Sequence, residues 1–565
     1  MKILAVSLGC VIAAGACGAL TGCDKAKKDT ENFLEIQAYD RGYGTAGLRA
    51  VAARYLELHD GVEIDIEGVV DSSLATDIYA GPGASTIDLY FNGGNNIYNL
   101  VTGGEAVIDG VTYPNYFEPL TEVYNHIPEG ETLAIKDKML DSYEFVFNLK
   151  NVDAERWTED TYYSAAWIGG NIGIVYNSRM FREHGWEVPV TTDGLLELCD
   201  DILDDEFYST NKNSVGQRIE VVPFSYCLSD SYWMYVYPQW WAQYDGVQSY
   251  INFFKGEDIN GTHTYEIANT DGRLEMLKLM DQLLGTYEMN GTEKVARSNV
   301  YCDPTLATRT FIDTQSTFLN AERARINTNG ATTSAMMPNG DWLESEMSQN
   351  FESQIASGEI EFKMMKTPVI SAIINHPACE NSIENDAELE ALVKAIDAGE
   401  TALSSTEYGY DVTQSAYDKV KEARRLTFGN YNNNIYIPAF ATAKELAKDF
   451  LKFYFSDEGI KIFAEATKGQ NLPVEYDFTL VSNISAFYQS KFDVIDDVDN
   501  FIGIYDVYPA VYLGNLTMFP EYLPFESKFN VSSAADYLSP NKIFIDNYNA
   551  IKRLWPNIVK DAGLN

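Results

Sequence analysis

The stretch that decides the fold runs from Tyr162 to Phe181 and reads YYSAAWIGGNIGIVYNSRMF. Its centre, Ile172 to Tyr176, is a nearly unbroken apolar run, which is typical of a strand covered on both faces. The next two residues are polar and of the type that caps helices, so a helix is expected to follow. Before the run, Gly169-Gly170-Asn171 lets the backbone turn freely beside Trp167. The stretch therefore predicts a flexible crossing over a ligand cleft, with an exposed Trp167 at its mouth.

The N-terminus has the composition of an export signal. Lys2 precedes an apolar segment from Ile3 to Leu20 that ends in small residues. Residues 20 to 23 read LTGC, which resembles the bacterial lipobox, whose cysteine receives diacylglycerol and becomes the first residue after cleavage. We therefore expect a signal peptide at 1–22, lipidation of Cys23 and a charged tether at 23–32. The alternative is an uncleaved membrane helix, because the apolar segment is near the lower limit for spanning a bilayer. Both arrangements place the domain outside the cell.

Composition and charge exclude several classes of function. The chain has 565 residues and a formal net charge of −42, and 45% of its residues are hydrophobic. So many apolar residues exclude general disorder, and the length suffices for two large lobes. The strong negative charge opposes binding to phosphate backbones and anionic lipid, so nucleic acid is not an expected partner.

The cysteines give no sign of a metal or redox site. Four of them lie beyond the leader, and none is spaced as CxxC: Cys199, Cys227, Cys302 and Cys379. Four cysteines allow three pairings, which the sequence leaves open. Cys199 lies on the apolar side of an expected helix, which favours a buried free thiol at that position.

The folded part opens with a strand, a helix and a second strand, at Phe33–Tyr39, Gly47–Leu58 and Val62–Val70. Between the first strand and the helix, residues 42–47 form a literal GxGxxG, and Glu67 follows twenty residues on, as in dinucleotide-binding folds. An exported protein would lose a nicotinamide cofactor, so we expect no cofactor. The glycine-rich loop instead presents backbone donors at a helix N-terminus to a ligand in the cleft.

Two further regions predict ligand contacts. A strand at 87–91 is followed by Asn92 and Asn95, at the end of the strand where open α/β sheets place their ligands. Tyr and Trp residues are densest between 226 and 244. Aromatic rings stack on the apolar faces of sugars, so this density fits a saccharide site, although packing in a helical core explains most of the rings equally well. From this stretch we select Trp233 and Trp241. A third tryptophan, Trp342, follows a turn at 339–341, where a core role is harder to build.

The C-terminal half contains a second expected crossing and an insertion. An expected strand at 362–370 is interrupted by Thr367-Pro368, which is a plausible crossing. Residues 375–427 are polar with helical spacing, and we interpret them as an inserted helical subdomain. The chain contains no HExxH, GxSxG or GxxxxGK motif, and its five histidines are scattered.

The pattern as a whole resembles the extracytoplasmic solute-binding lipoproteins of ABC importers, specifically the sugar-binding group that includes maltose-binding protein. The resemblance spans nearly the whole mature chain. It rests on Leu20–Cys23, on Ile36–Leu48 with Asp40-Arg41-Gly42, on Gly173–Asn177 followed by Phe181, Gly185 and Pro189, on Met336–Trp342, and on Ala443–Leu451 followed by Ser456–Gly459.

The resemblance implies two α/β lobes of the type II periplasmic-binding-protein-like fold, built from separated stretches and closing around a sugar. We expect lobe 1 at 33–170 and 367–480, and lobe 2 at 171–366 and 481–565. The implied partners are a carbohydrate and a membrane permease, and the implied state is a monomer on the outer face of the cell membrane, with no enzymatic reaction. Carried over by position, the ligand contacts include Asp40, Arg41, Asn92, Asp341 and Trp342.

Two alternatives remain at this point. The aromatic residues and the many carboxylates also fit a surface glycoside hydrolase, whose paired carboxylates would be invisible in the sequence. An oligopeptide-binding protein would use backbone donors and tolerate many side chains.

Overall fold

The computed structural model describes 13 segments of the chain: residues 30–93, 100–101, 103–152, 156–204, 208–212, 218–227, 232–302, 310–319, 326–327, 330–400, 412–430, 433–503 and 526–561. Two of the expected site residues, Cys23 and Asn95, lie outside these ranges.

Most strands of the described segments belong to two mixed sheets, one in each lobe. In chain order the strands are β1 (Phe33–Tyr39), β2 (Glu63–Val69), β3 (Leu89–Gly93), β4 (Ala106–Ile108), β5 (Val111–Tyr113), β6 (Ala165–Ala166), β7 (Gly170–Tyr176), β8 (Tyr208–Lys212), β9 (Arg218–Phe224), β10 (Tyr287–Asn290), β11 (Glu293–Ala296), β12 (Ile326–Asn327), β13 (Gly330–Gly340), β14 (Lys363–Met365), β15 (Leu426–Asn430), β16 (Asn433–Tyr436) and β17 (Asn500–Gly503).

The first sheet has the strand order β2-β1-β3-β16-β6 and forms the centre of lobe 1. β1 is parallel to β2 and β3, whereas β16 runs antiparallel to β3. The alternating apolar residues of β1 predicted a strand, and its residues Leu34, Ile36 and Ala38 are buried in the core. β2 lies at the edge of the sheet, which fits its alternation of exposed and partly buried residues.

The second sheet forms the centre of lobe 2, with the order β17-β15-β7-β13-β9-β8. Two further strands join this sheet: β14 pairs with β7, and the short β12 pairs with β13. β7 is buried over nearly all of its length and pairs with β13, β14 and β15, as expected for the continuous apolar run at its centre. Asn177 caps the following helix by accepting a hydrogen bond from the Met180 amide, as the sequence predicted.

Helices cover both sheets. In lobe 1 they are Ala46–Leu58, Leu74–Ala80, Thr121–Tyr124, Ile135–Lys138, Asp141–Phe147, Leu149–Val152, Lys444–Tyr454 and Asp457–Thr467. In lobe 2 they are Ser178–His184, Thr192–Asp204, Tyr237–Asp245, Val247–Lys255, Asp271–Leu284, Phe311–Leu319, Leu343–Ala356, Asp386–Asp397, Gln414–Arg424, Ala486–Ile495, Glu526–Phe529 and Pro540–Asp561.

Within the described residues the chain passes between the two sheets three times. The first passage lies between β6 and β7, at the glycine pair that the sequence singled out. The second lies between β15 and β16, because β15 pairs with β7 of lobe 2 and β16 pairs with β3 of lobe 1. The third lies between helix Asp457–Thr467 of lobe 1 and helix Ala486–Ile495, which packs on β14 of lobe 2.

The expected second crossing at Thr367-Pro368 is therefore corrected to residues 430–433. The strand β14 ends at Met365, before Thr367-Pro368, and the chain after the proline remains in lobe 2. The indole nitrogen of Trp240 donates to the Pro368 carbonyl at 3.1 Å. The Ile370 amide donates to Gln243 at 2.8 Å, so this segment is attached to the helical layer of lobe 2.

The described parts of the helical segment 375–427, residues 375–400 and 412–427, belong to lobe 2 for the same reason. The Arg424 side chain is buried and contacts Asp397 through two of its nitrogens, with the closest separation at 2.6 Å. A third Arg424 nitrogen donates to the Thr367 carbonyl at 3.1 Å. The segment is thus part of the lobe 2 core and is not an arm of lobe 1.

The glycine-rich loop has a structural explanation that involves no cofactor. Gly42 and Gly44 have φ angles of +61° and +70°, which favour glycine. A Cβ atom at Gly47 would overlap the ring of Phe463, so this glycine allows helix Ala46–Leu58 to pack closely on helix Asp457–Thr467. The spacing that resembles a dinucleotide fingerprint therefore serves a turn and a helix contact.

Cys199, Cys227, Cys302 and Cys379 are buried free thiols. Across the described ranges, His, Cys, Asp and Glu side chains form no group of three or more with metal-site geometry. No helix in those same ranges has the length and hydropathy needed to cross a bilayer.

Candidate ligand-binding site

The two lobes meet where the C-terminal ends of β1 and β13 face each other. β1 leads into the loop Asp40–Thr45 of lobe 1, and β13 leads into Asp341 and Trp342 of lobe 2. A Cβ atom at Gly42 would lie 3.6 Å from the Trp342 Cβ, so the loop backbone runs directly along this tryptophan. We call this contact region, formed by residues 40–45 and 341–346, the interlobe seam.

Aromatic rings fill the centre of the seam. Tyr43 lies edge-on to Trp167 and to Trp342, with ring centroids 6.2 Å and 6.0 Å apart. On the lobe 2 side Trp342 also meets Tyr235, at 5.1 Å. Edge-to-face contacts of this kind are favourable for aromatic pairs. Because the lobes are in contact here, only 7% of Trp342 is exposed.

A chain of polar contacts continues from Tyr43 across the seam. Its hydroxyl donates to Asp341 Oδ1 at 2.6 Å, and Asp341 Oδ2 lies 2.9 Å from Lys491 Nζ. Lys491 in turn donates to the side-chain oxygen of Asn471, which returns the chain to lobe 1. Burial, reinforced by the Asp341 carboxylate, raises the pKa of Tyr43 well above its ordinary value, so this hydroxyl remains a donor.

A second polar link joins the loop to the helix that follows Trp342. Gln315 donates to Glu346 Oε2 at 2.9 Å, and the Gly42 amide hydrogen-bonds to the same carboxylate. Burial raises the pKa of Glu346, whereas these two donors and the charge of Arg41 lower it. The carboxylate therefore has donors from both lobes.

Asp40 and Arg41 are both exposed at the edge of the seam. Asp40 Oδ1 accepts a hydrogen bond from Thr45 Oγ1 at 3.1 Å, which orients the carboxylate at the start of the helix. Asn92 is buried within β3, where it pairs with Asn434 of β16.

Trp167 differs from the expectation of an exposed ring. Only 2% of it is exposed, and its indole nitrogen donates to the Asn92 carbonyl at 2.9 Å. Its own carbonyl accepts a hydrogen bond from Tyr454 at 3.0 Å, and its ring packs on Phe91. These contacts attach the first crossing to lobe 1. Trp167 therefore packs against Tyr43 of the seam from the lobe 1 side.

Trp241 lies in the helical core of lobe 2 and not at the seam. Its indole nitrogen donates to Asp245 at 2.7 Å, and its ring meets Tyr250 and Phe253 at 4.9 Å and 4.8 Å. The Arg273 guanidinium lies 5.4 Å from the centre of its ring. The structure thus explains Trp241 by packing, and the expected ligand contact is not supported.

Trp233 is buried as well and lies near other buried polar side chains. Its indole N–H and Glu526 Oε1 have no hydrogen-bond partner among the described residues, whereas the Asn530 side chain hydrogen-bonds to the Tyr226 hydroxyl. The rings of Trp233 and Tyr226 are 6.3 Å apart, and Glu526 contributes to raising the pKa of Tyr226, although burial is the larger cause. Burial also raises the pKa of Glu526 to about 7. Trp233 thus lies in the interior of lobe 2, among the residues of its core.

Sequence reasoning missed three residues of the seam. Tyr43 lies inside the loop that was expected to contribute only backbone, and its position between two glycines was the available signal. Tyr235 was one of many closely spaced aromatic residues. Lys491 lies in a helix 150 residues after Asp341, and no local pattern points to it.

Comparison with known proteins identifies the fold through solved structures. No model of a known protein family matches the chain, and no curated protein sequence matches it. Solved structures do match. RafE in complex with raffinose is 14% identical with a TM-score of 0.52, over 92% of this chain and 99% of that chain. The solute receptor AcbH, described as preferring β-D-galactopyranose, is 12% identical with a TM-score of 0.55, over 92% and 99%.

A probable secreted solute-binding lipoprotein from Streptomyces coelicolor is 12% identical with a TM-score of 0.52, over 93% of this chain and 99% of that chain. At such identities the likeness concerns the fold, and it extends over nearly the whole molecule. The protein thus has the two-lobed α/β fold of the solute-binding proteins.

Proposed function

We propose that the protein is a lipid-anchored, extracytoplasmic substrate-binding protein that captures a carbohydrate, most simply an oligosaccharide, and delivers it to an ABC permease. The observation that carries the proposal is the seam itself, where two lobes of this fold meet around an aromatic cluster with polar groups on both sides. Stacking on rings and hydrogen bonds to amides and carboxylates are the interactions that sugars need. The matching structures of RafE with raffinose and of AcbH, which prefers β-D-galactopyranose, support a carbohydrate.

The proposed ligand contacts are those of the seam and its exposed rim. Asp40 and Arg41 would bind hydroxyl groups from lobe 1, and Trp342 would offer its ring from lobe 2. Asn95 remains a proposed contact outside the described residues. Since Trp342 is covered by Tyr43 in this arrangement, ligand entry requires the lobes to separate, and closure would then be selected by the additional contacts with the ligand.

Binding is tested by thermal-shift measurements and calorimetry with neutral oligosaccharides, such as raffinose, xylotriose and chitotriose, beside short peptides. A rise in melting temperature with one of the sugars is the expected result. A response to peptides alone contradicts the carbohydrate assignment. Chromatography of the bound sugar after incubation distinguishes capture from hydrolysis, because a binding protein returns its ligand unchanged.

The anchor is tested separately. Replacing Cys23 by Ser should abolish incorporation of a labelled fatty acid and release the protein from the membrane fraction, whereas Cys17→Ser should change neither. Retention of the Cys23→Ser protein in the membrane would favour an uncleaved N-terminal helix.

A further inference from the structure

The polar chain at the seam contains a charge pair that is almost fully shielded from water. The side chains of Lys491 and Asp341 are 0% and 1% exposed, and their charged atoms are 2.9 Å apart. Lys491 also lies over the rings of Tyr488 and Phe492, at 5.4 Å and 5.1 Å. Burying two charges is costly unless their remaining hydrogen-bonding positions are filled, so the other partners of this pair matter.

Those other partners come from the opposite lobe. Asp341 and Lys491 belong to lobe 2, whereas Tyr43, which donates to Asp341, and Asn471, which accepts from Lys491, belong to lobe 1. The hydrogen bonds that Tyr43 and Asn471 make to this pair therefore form only when lobe 1 lies against lobe 2.

The same residues contact the passages between the lobes. The Asp341 amide donates to the Asn171 carbonyl at 2.9 Å, at the start of β7, and the Gly169 amide donates to the Asn471 carbonyl at 2.7 Å. The Asn171 side chain donates to the Phe428 carbonyl at 3.1 Å, close to the second passage. A shift of the charge pair would thus alter hydrogen bonds at the passages between the lobes.

The loop that carries the proposed ligand contacts depends on these partners. The Tyr43 carbonyl accepts hydrogen bonds from Ser345 Oγ at 2.9 Å and from Gln470 Nε2 at 3.1 Å, and the Tyr43 hydroxyl is held by Asp341. Asp40 and Arg41 lie three and two residues before Tyr43, and Trp342 directly follows Asp341. One charge pair thus anchors both edges of the proposed site.

We propose that Lys491 is a positioning residue for ligand binding. It acts through Asp341 and Tyr43 to hold the loop Asp40–Thr45 and the ring of Trp342 in their binding geometry, and it does not touch the ligand. This role rests on the proposed function, because it concerns the affinity of that same site. Without Lys491, Asp341 would be a buried charge with no counter-charge, and the contact through which it holds the Tyr43 hydroxyl would be weakened.

Two variants separate positioning from stability. Lys491→Met leaves an unpaired buried carboxylate and should lower both the melting temperature and the affinity. The double variant Asp341→Leu/Lys491→Met removes both charges, and replacing a buried ion pair by apolar residues is often neutral or stabilising. Its melting temperature should return towards that of the wild type, whereas its affinity should stay about tenfold weaker, because Tyr43 has lost its acceptor. Tyr43→Phe should show a similar loss of affinity together with a lower melting temperature, because it leaves Asp341 Oδ1 without its donor.

A matched control is available within lobe 2. Arg424, which is buried, pairs with the partly exposed Asp397 outside the seam, and Arg424→Met/Asp397→Leu applies the same change of charge there. This control should bind carbohydrate like the wild type. If the double variant at the seam also binds like the wild type, Lys491 has only a structural role and the proposal is wrong.

Hydrogen exchange of the ligand-free proteins decides the question even if no tested sugar binds. The proposal predicts faster exchange of the backbone amides of residues 40–45 in Asp341→Leu/Lys491→Met than in the wild type, and no such change in the Arg424/Asp397 control. Unchanged exchange in the loop would overturn the positioning role. Absence of binding of raffinose, xylotriose and chitotriose to the wild type would instead count against the proposed function alone.

Discussion

Trp342 shows how one side chain can contribute to both binding and folding. From the sequence, its place after a turn predicted a ligand contact with little effect on stability. In the structure it is nearly buried between Tyr43 and Tyr235, because the facing lobe covers a residue that its own lobe would leave open. A variant at this position should therefore affect two measurements.

We expect Trp342→Ala to lower the free energy of unfolding by about 3 to 5 kcal/mol, as for other large buried side chains. It should also weaken carbohydrate binding by about ten- to a hundredfold through loss of a stacking surface. Trp241→Ala is the control, since Trp241 is equally buried but remote from the seam. It should lose stability and keep its affinity per folded molecule. Equal affinities of the two variants would remove Trp342 from the site.

Glu526 makes stability depend on pH. Its pKa is raised by burial to about 7 in the folded protein, well above the ordinary value for glutamate. Between the ordinary value and about 7, the folded state holds a proton that the unfolded chain has released. Stability should thus fall as the pH rises through this window, by at most about 3 kcal/mol, and should change no further from this group above it.

Glu526→Gln removes this group and leaves the other buried carboxyl groups in place. Chemical unfolding of both proteins between about pH 4.5 and about pH 8 should show a smaller decline for the variant. Glu390→Gln, on an exposed helix face, should behave like the wild type. Parallel curves for the wild type and Glu526→Gln would show that this carboxyl group is not buried in solution.

Among the elements, the helical segment 375–427 differs most from its sequence-based interpretation. Its composition suggested an insertion, yet the Arg424–Asp397 pair joins it to the core of lobe 2. Arg424 remains buried when its partly exposed partner is removed and keeps only the Thr367 carbonyl as an acceptor, so Asp397→Ala should cost about 1 to 3 kcal/mol of unfolding free energy. The control Glu390→Ala breaks an exposed pair with Lys394 and should cost about 1 kcal/mol or less. Equally small losses would mean that the segment is an independent arm.

The contact between helices Ala46–Leu58 and Asp457–Thr467 depends on Gly47. A methyl group at this position would overlap the Phe463 ring, so Gly47→Ala should lower stability by about 1 to 3 kcal/mol. Gly83→Ala adds the same methyl group where the nearest atom is 3.9 Å away and should change little. Phe463→Leu in the Gly47→Ala background should recover part of the loss. No recovery would show that the backbone, and not the ring, sets the helix distance.

Elements were predictable where the information is local. The spacing of apolar residues predicted β1, and their helical spacing after a glycine-rich loop predicted the helix that follows it. The polar residues after β7 predicted the cap at Asn177. All three are present. The second passage between lobes was misplaced, because a proline marks an interrupted strand but not the sheet that the next strand joins. That choice depends on pairing between β16 and β3, which are more than 330 residues apart.

The site was predictable in its backbone and less so in its side chains. The loop after β1 and the end of β13 were identified from their turns, and the structure brings them together. Trp241 was selected for its ring alone, although its neighbours at helical spacing already matched a core position. Lys491 could not be found, because a buried charge pair joins residues that share no local pattern.

At the scale of the whole molecule, net charge should select among ligands. A formal charge of −42 creates a negative potential around the cleft, which slows the approach of anions. We expect neutral galactotriose to associate faster than trigalacturonate at about 10 mM salt. The difference should shrink at about 1 M salt, where the screening length falls from about 30 Å to about 3 Å. Stopped-flow tryptophan fluorescence measures both rates, and faster association of the uronide at low salt would contradict this expectation.

Because the chain passes three times between the lobes, some neighbouring strands of each sheet are synthesised far apart in time, which constrains the order of folding. β3 is complete early in synthesis, but its second neighbour, β16, is made only when residues 433–436 emerge. Pairing over such a distance along the chain is slow to form, and until then β3 presents an unpaired edge that another molecule could extend. Lobe 2 has the same dependence, because β15 pairs with β17 near residue 500. The lobe 1 sheet therefore cannot be completed before synthesis has passed residue 433, and the lobe 2 sheet cannot be completed before it has passed residue 500. A polypeptide that stays unfolded until its whole length has crossed the membrane would avoid exposing incomplete sheets.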